Sequence, residues 1–417
     1  MFKEKQDRKT NYITGIVFAA CLLGYSALMY QLFYLQAVHC ATRELYFSDI
    51  KAYLETILGV ECDYDFPYPI FFWLGKFFLL FANVAVAASL AATLLNSLGV
   101  VILFYYMQKF LREYGEKAGK KDTVRKYAGL LSVFLVFSIF FISMLYLPGR
   151  PRFLGITNSY LGVFTPNPYH NLTYMATRPF AVAAFFLFAR ILDYYEERTD
   201  RKDFFLFGLS LLLTTMTKPS YTLILVSTAG LVMLYRLFRS GWKNFKRSFY
   251  LGLTFVPTFA DLLYQYGGVF GGGSKAGEAG GIGLGIGSVW KLYTNNIPLA
   301  IVLALGFPLA VFVFHPKTLQ KNTLYRFSWA QLIVSMMELF LLYENGRRFS
   351  DANFSWGYMH GIFFVFVTSV LVLVESMIEK REKKWAAGVQ WLLFGLHLVC
   401  GIGYFLYIFG GHAFHEF

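Results

Sequence analysis

Charge is scarce in this chain. Only 15% of its 417 residues are Asp, Glu, Lys or Arg, against about 25% in an ordinary soluble domain, and that shortfall excludes a water-soluble enzyme. Cysteine is scarce too. Four residues are too few for a disulfide scaffold, although Cys40 and Cys62 share one loop, where a bridge and two free thiols both remain open. No GxxxxGK[ST] cradle occurs, which argues against a nucleotide-driven pump. The histidines expected on the outer side (His39, His170, His360, His412, His415) lack metal-ligand spacing such as HxxxH, so no metal site is drawn and a divalent ion has no supporting ligand set. There is no internal repeat, and none of the period-two alternation that a membrane barrel requires.

Apolar length is what the chain has instead: 57% of its residues are hydrophobic and 20% aromatic. A membrane crossing takes about 20 mainly apolar residues. Eleven runs qualify, near residues 12–37, 84–108, 128–147, 176–194, 203–217, 220–238, 248–266, 297–314, 327–343, 359–378 and 387–409. Lipid cannot satisfy open backbone groups, so these runs predict helices. The expectation is an all-α polytopic fold, residues 1–417 forming a single transmembrane domain with its lipid bilayer as an obligate partner. The stretch at 69–81 (Trp73, Lys76) reads as an interfacial aromatic helix.

The net charge of +13 depends for its meaning on where the cations lie. With a cytoplasmic N-terminus, the six inner segments hold 27 of the 38 Lys and Arg residues. That bias sets orientation and matches an anionic inner leaflet, with no need for nucleic acid. Eleven crossings then leave the C-terminus outside. The longer loops, at 38–83, 148–175, 267–296 and 344–358, also fall outside, and they carry most of the side chains that chemistry uses.

In the first outer loop Asp49 opens a helical run at 48–58 and shares a face with Tyr53, four residues on. Either Asp49 serves a site, or Ser48 caps this helix and Asp49 favours its dipole. The second loop ends in His170, Asn171, Thr173 and Arg178, a cluster suited to a phosphate or to sugar hydroxyls with Arg178 as the anion partner; Asn171-Leu172-Thr173 also fits the N-glycosylation triplet. Lys218 sits in the turn Thr217-Lys218-Pro219-Ser220. It either snorkels or, if buried, needs an anion from a lipid phosphate or an acidic loop residue. Residues 267–288 hold 11 glycines in 22 positions and read as a lid or a flexible linker. The loop before span 10 gathers Glu344, Arg347, Arg348, Asn353, Trp356 and His360: the arginines face an anion or pair with Glu344, and Trp356 stacks on a sugar or joins an aromatic belt. Asp261, inside span 7, is a functional suspect as an intramembrane carboxylate.

Tyr46-Phe47-Ser48-Asp49-Ile50 in the first outer loop, Phe66-Pro67-Tyr68-Pro69 before span 2, the run Pro166-Asn167-Pro168-Tyr169-His170-Asn171-Leu172-Thr173 and the Thr217-Lys218-Pro219-Ser220 turn together resemble the GT-C superfamily of integral membrane glycosyltransferases, in the style of bacterial envelope-polysaccharide members. The likeness spans most of the chain as architecture. Only Asp49 maps onto a family element, and here Ile50, not a second carboxylate, follows it. The resemblance implies a polyprenyl-phosphate sugar as donor substrate, a glycan, lipid or protein acceptor, no firmly implied cofactor, and inversion at the anomeric carbon. It implies Asp49 as general base; Arg178, Lys218, Arg347 and Arg348 as phosphate ligands; and Tyr53, His170, Asn171, Glu344, Asn353 and Trp356 around sugar or acceptor. The expected location is the bacterial plasma membrane, or the endoplasmic reticulum membrane in a eukaryote, with the site on the extracytoplasmic side. The rival readings are a polysaccharide polymerase or ligase and a lipid-linked sugar transporter or flippase.

Overall fold

The computed structural model describes residues 2–41, 44–147, 164–270 and 281–414, with backbone alone at 2–9, 121–125, 268–270 and Arg347. A long helix, α1 (Phe2–Val38), leads to two short ones, α2 (Ile50–Leu58) and α3 (Ile70–Leu79). Then come α4 (Val84–Lys117), α5 (Lys121–Ile139), α6 (Leu172–Tyr194), α7 (Arg201–Thr217), α8 (Ser220–Arg239), α9 (Phe245–Leu253) and α10 (Val256–Phe270). A strand β1 (Ile282–Leu284) and a turn of helix, α11 (Trp290–Tyr293), precede α12 (Ile297–Phe314), α13 (Thr318–Lys321) and α14 (Thr323–Leu341). The chain closes with β2 (Leu342–Glu344), a 3-10 turn (Gly346–Asp351), α15 (Ser355–Glu379) and α16 (Lys384–Phe409). β1 and β2 pair antiparallel, Ile282 opposite Glu344 and Leu284 opposite Leu342.

Among the described residues seven helices, α1, α4, α6, α8, α12, α15 and α16, are long and apolar enough to cross a membrane. This is an all-α integral membrane protein. The other four of the eleven expected spans fall short of that measure for identifiable reasons. The run at 128–147 is helical only to Ile139, α7 has 17 residues, and α14 carries Arg326, Gln331 and Glu338 within its 19. The run at 248–266 is two helices. Pro257 has no amide to offer Leu253 and is best placed in the first turn of a helix, and the chain turns at Thr254–Phe255 and restarts as α10. The interfacial helix expected at 69–81 is α3.

The centre of the bundle is α6 and α15, the most enclosed of the seven. α4 and α7 pack on α6, and α8, α12 and α14 pack on α15. Close approach is permitted by glycine where it is needed: a Cβ on Gly99 of α4 would lie 2.9 Å from the Cβ of Arg178 on α6. The tightest case is Gly401 of α16, where an added methyl would fall on the backbone carbonyl of Phe141. Backbone cannot rotate away as a side chain can, so Gly401→Ala is expected to cost at least about 3 kcal/mol by overpacking. A marked drop in detergent unfolding temperature would show it; an unchanged one would mean that α16 is free to shift.

Candidate functional site

The site begins with α2. Ile50, Tyr53, Leu54 and Ile57 recur at helical spacing and are all buried, and Gly59 in the left-handed region (φ 72°) ends the helix by donating to Thr56 and Glu55 carbonyls. Tyr53 packs edge-on against Phe71 and Phe72 of α3, so the helix is pinned by its apolar face and Asp49 stands at its N-terminus. Asp49 is the N-cap by position, yet its carboxylate makes no capping bond. The amide of Asn171 takes it instead, Nδ2 to Oδ2 at 2.6 Å.

Asn171 is the hub. As N-cap of α6 it accepts through Oδ1 from Tyr174 N at 2.8 Å. The same oxygen accepts from the Lys218 ammonium at 3.4 Å and from Thr173 Oγ1 at 3.0 Å. Its two ends therefore cannot be exchanged: NH2 faces the carboxylate and the oxygen faces the cation. Because Thr173 spends its one proton on Asn171, its oxygen accepts, from the Tyr53 hydroxyl at 3.2 Å and from Lys218 at 3.3 Å. Asn171 is also 2% exposed, so the glycosylation triplet is closed off in the folded protein.

Pro219 delivers the lysine. A residue before proline is pushed out of the helical region, and Lys218 is extended (φ −167°, ψ 124°), ending α7 and turning its side chain inward. It does not snorkel. Lys218 is 7% exposed, with its ammonium 4.9 Å from the centre of the Trp356 ring and 5.9 Å from that of Tyr68.

Asp49, Tyr53, His170, Asn171, Lys218, Glu344, Arg348, Asn353 and Trp356 all line one cavity of about 960 Å³. From the far wall Asn353 donates to Glu344 at 2.5 Å and accepts from Trp356 Nε1 at 3.3 Å. Arg348 lies 5.7 Å over the ring of Tyr64. His170 stacks on Phe414 with centroids 3.7 Å apart. Its backbone carbonyl accepts from Asp49 N at 3.2 Å, tying the segment before α2 to the one before α6. Asp65 from the acidic first loop, Tyr68 from the Phe66-Pro67-Tyr68-Pro69 run, and Glu338 and Asp351 from the polar run before span 10 line the same cavity. Tyr64 and Phe414 also line it, and sequence reasoning did not single them out.

Two expectations change. Arg178 does not line the cavity. The helix expected from 176 starts at Leu172, which puts Arg178 in its second turn and aims it into the bundle. There it donates to Asn96 at 3.3 Å, to the Pro166 carbonyl at 2.9 Å and to Asn167 at 2.5 Å, above the rings of Phe140 and Phe363. Arg178→Leu would strand all three acceptors, and a loss of about 2–4 kcal/mol in detergent unfolding is expected; a stable variant would show that water replaces the guanidinium. His360, expected in a loop, is a buried residue of α15 stacked on Tyr174 at 4.1 Å. Of the two alternatives for Cys40 and Cys62, the structure has no disulfide between them. The Arg347 side chain, residues 148–163 of the second loop, 271–280 of the Gly-rich segment and His415 lie outside the described residues. Asp261 accepts from Gln265 at 2.8 Å on α10 and stays outside the cavity lining.

Burial sets the electrostatics. It raises the pKa of Asp49 above that of a free carboxyl, against the Asn171 bond and the Lys218 charge. It lowers that of Lys218 to about 8, against the pull of Asp49 and Glu344. Glu344 is raised by the same cause, and Tyr53 and Tyr68 are held as hydroxyl donors. Among the described residues no group of three or more His, Cys, Asp or Glu is arranged to hold a metal.

The cavity has a second character on its other flank. Leu223 and Ser227 of α8 and Phe259, Leu262, Leu263 and Tyr266 of α10 line it there. Leu223, Phe259, Leu263 and Tyr266 are at the same time exposed on the outside of the molecule, Leu263 at 73%. The polar centre thus continues into an apolar gap between two helices. No protein-family model and no curated protein matches this chain. Its chemistry is therefore argued from a buried carboxylate and a buried ammonium on either side of one amide, in a chamber with an apolar flank.

Proposed function

We propose that this protein is a GT-C type membrane glycosyltransferase that moves a sugar from a polyprenyl-phosphate donor to an acceptor hydroxyl on the extracytoplasmic face. The observation that carries the reading is the single chamber that joins the Asp49–Asn171–Lys218 bridge to an apolar gap between α8 and α10. An amphiphilic donor needs both. Its chain stays in lipid while its phosphate and sugar reach the polar end, so no cytoplasmic nucleotide site is required.

On this reading Asp49 takes the proton of the acceptor hydroxyl as that oxygen bonds to the anomeric carbon. The bond from that carbon to the phosphate oxygen breaks, with inversion, and the electron pair leaves on the lipid phosphate, stabilised by the Lys218 ammonium. Among the described residues Arg348 is the second cation facing the cavity, whereas Asp49, Asp65, Glu338, Glu344 and Asp351 are five carboxylates. Carboxylates outnumber cations, so the phosphate is held by a local contact rather than drawn in by a general positive field. Asn353, Glu344 and Trp356 supply hydroxyl partners and a ring face for a sugar. Tyr53 and His170 complete the wall on the acceptor side. The topology belonging to this proposal is eleven crossings with the N-terminus cytoplasmic.

The reading is tested by reconstituting the protein in liposomes with labelled polyprenyl-phosphate sugars and envelope lipid acceptors, with Asp49→Asn as the comparison. The open lipid-side flank also suits a flippase for lipid-linked sugars. Flipping of labelled lipid that persists in Asp49→Asn, without transfer in the wild type, would favour that alternative.

A further inference from the structure

The face of the molecule that carries the apolar gap has a second hollow at its far end. About 300 Å³ lies where α8 meets α9 and the start of α10, walled by side chains such as Met233, Leu237 and Phe249. Two glycines open it. Gly230 on α8 and Gly252 on α9 both line the hollow, and no atom lies within 4 Å of where a Cβ on either would stand. From Val226 to Leu237 the α8 wall rises about 17 Å at 1.5 Å per residue, near half of the roughly 30 Å of membrane hydrocarbon. The groove thus has the length of one leaflet's acyl chain.

The chain beside it, from the last turn of α8 into the first of α9, is basic and aromatic. Arg239, Lys243 and Lys246 are exposed in that segment, and none makes an ion pair with a carboxylate among the described residues, Lys246 lying 6.0 Å over the Tyr250 ring. Arg236 and Arg247 differ: the first pairs with Glu196 at 3.6 Å and the second donates to the Glu196 carbonyl. Trp242 and Phe245, exposed at 52% and 54%, stand between these cations. An apolar slot beside unpaired cations and interfacial aromatics has the chemistry of a lipid site.

We propose that this groove binds one acyl chain of an anionic phospholipid, whose phosphate rests against Lys243 and Lys246. The site is separate from the transfer chemistry and does not depend on it. Charge selects the occupant: a zwitterionic lipid would fill the slot equally well but would gain little from these lysines.

The test measures binding of phosphatidylglycerol and of phosphatidylcholine with identical chains to the delipidated full-length protein in detergent, by native mass spectrometry. Phosphatidylglycerol is expected to bind at least tenfold more tightly. Gly230→Leu with Gly252→Leu should fill the slot and lose at least tenfold of that affinity. Leucine favours helix over glycine, so helical content and unfolding temperature should hold. Lys243→Gln with Lys246→Gln should bring phosphatidylglycerol down to the phosphatidylcholine level without touching the slot. Equal binding of the two lipids by the wild type overturns the proposal, as does binding that survives the leucine pair. One-for-one displacement by polyprenyl phosphate that is insensitive to the lysine pair also overturns it, and would assign the groove to the chain of the main cavity's own ligand, since Phe259 lines both volumes.

Discussion

Asp49→Asn is expected to lower sugar transfer by 10²- to 10⁴-fold, the range for loss of a general base, while leaving the fold intact. The amide matches the carboxyl in shape, and Glu344 remains as an anion acting on the buried Lys218 ammonium, so the variant keeps the fold at a cost in stability from the lost charge partner. Transfer from labelled polyprenyl-phosphate sugars, measured beside detergent unfolding, checks both halves. A variant that folds and still transfers at the wild-type rate would remove Asp49 from the chemistry. The wild-type pH profile bears on the same residue. The proposed mechanism needs the ionised carboxylate, and burial raises its pKa, so activity should fall with acidification at a higher pH than a solvent-exposed Asp would give.

Lys218→Met should weaken transfer by about 10²–10³, comparable with losing one oxyanion donor, while the protein still folds. The apolar chain fits beside Trp356 and Tyr68 and carries no charge to desolvate. Two pH effects separate this from a general structural defect. With a pKa of about 8, roughly nine-tenths of the wild-type ammonium is charged at pH 7 and about a tenth at pH 9, so donor binding should fall about tenfold over that interval; in Lys218→Met the alkaline decline should be absent. Lys218 also holds the Asp49 pKa down, so its removal should move the acid limb to higher pH. The two residues are coupled and the limbs report the pair. An unshifted profile in the variant would sever Lys218 from Asp49.

Much of this cavity could be read from short-range chemistry. Asp49 and Tyr53 four apart on an amphipathic helix had to share a face, and a lysine before Pro219 in a short apolar turn had to find polar company. The Glu344, Arg348, Asn353 and Trp356 cluster was visible because polar residues rarely crowd beside an apolar run without a reason. What failed was register. Moving the start of α6 by four residues, from 176 to 172, carried Arg178 from the helix's first turn one turn deeper into the bundle, where a side chain answers to packing rather than to solvent. His360 changed setting in the same way when α15 began at Ser355. The break at Pro257 was legible, yet hydropathy averaged over a window smoothed it away. Tyr64 and Phe414 reach the cavity only through contacts between segments distant in sequence, which no local pattern encodes.

The gap between α8 and α10 also decides which concentration matters. A ligand that arrives through exposed Leu263 and Tyr266 arrives from within the bilayer, by diffusion in two dimensions. The relevant quantity is then its mole fraction among lipids, and the apparent Michaelis constant should carry those units. Adding inert phospholipid at fixed total donor should slow turnover in proportion to the dilution, whereas adding buffer should leave it unchanged.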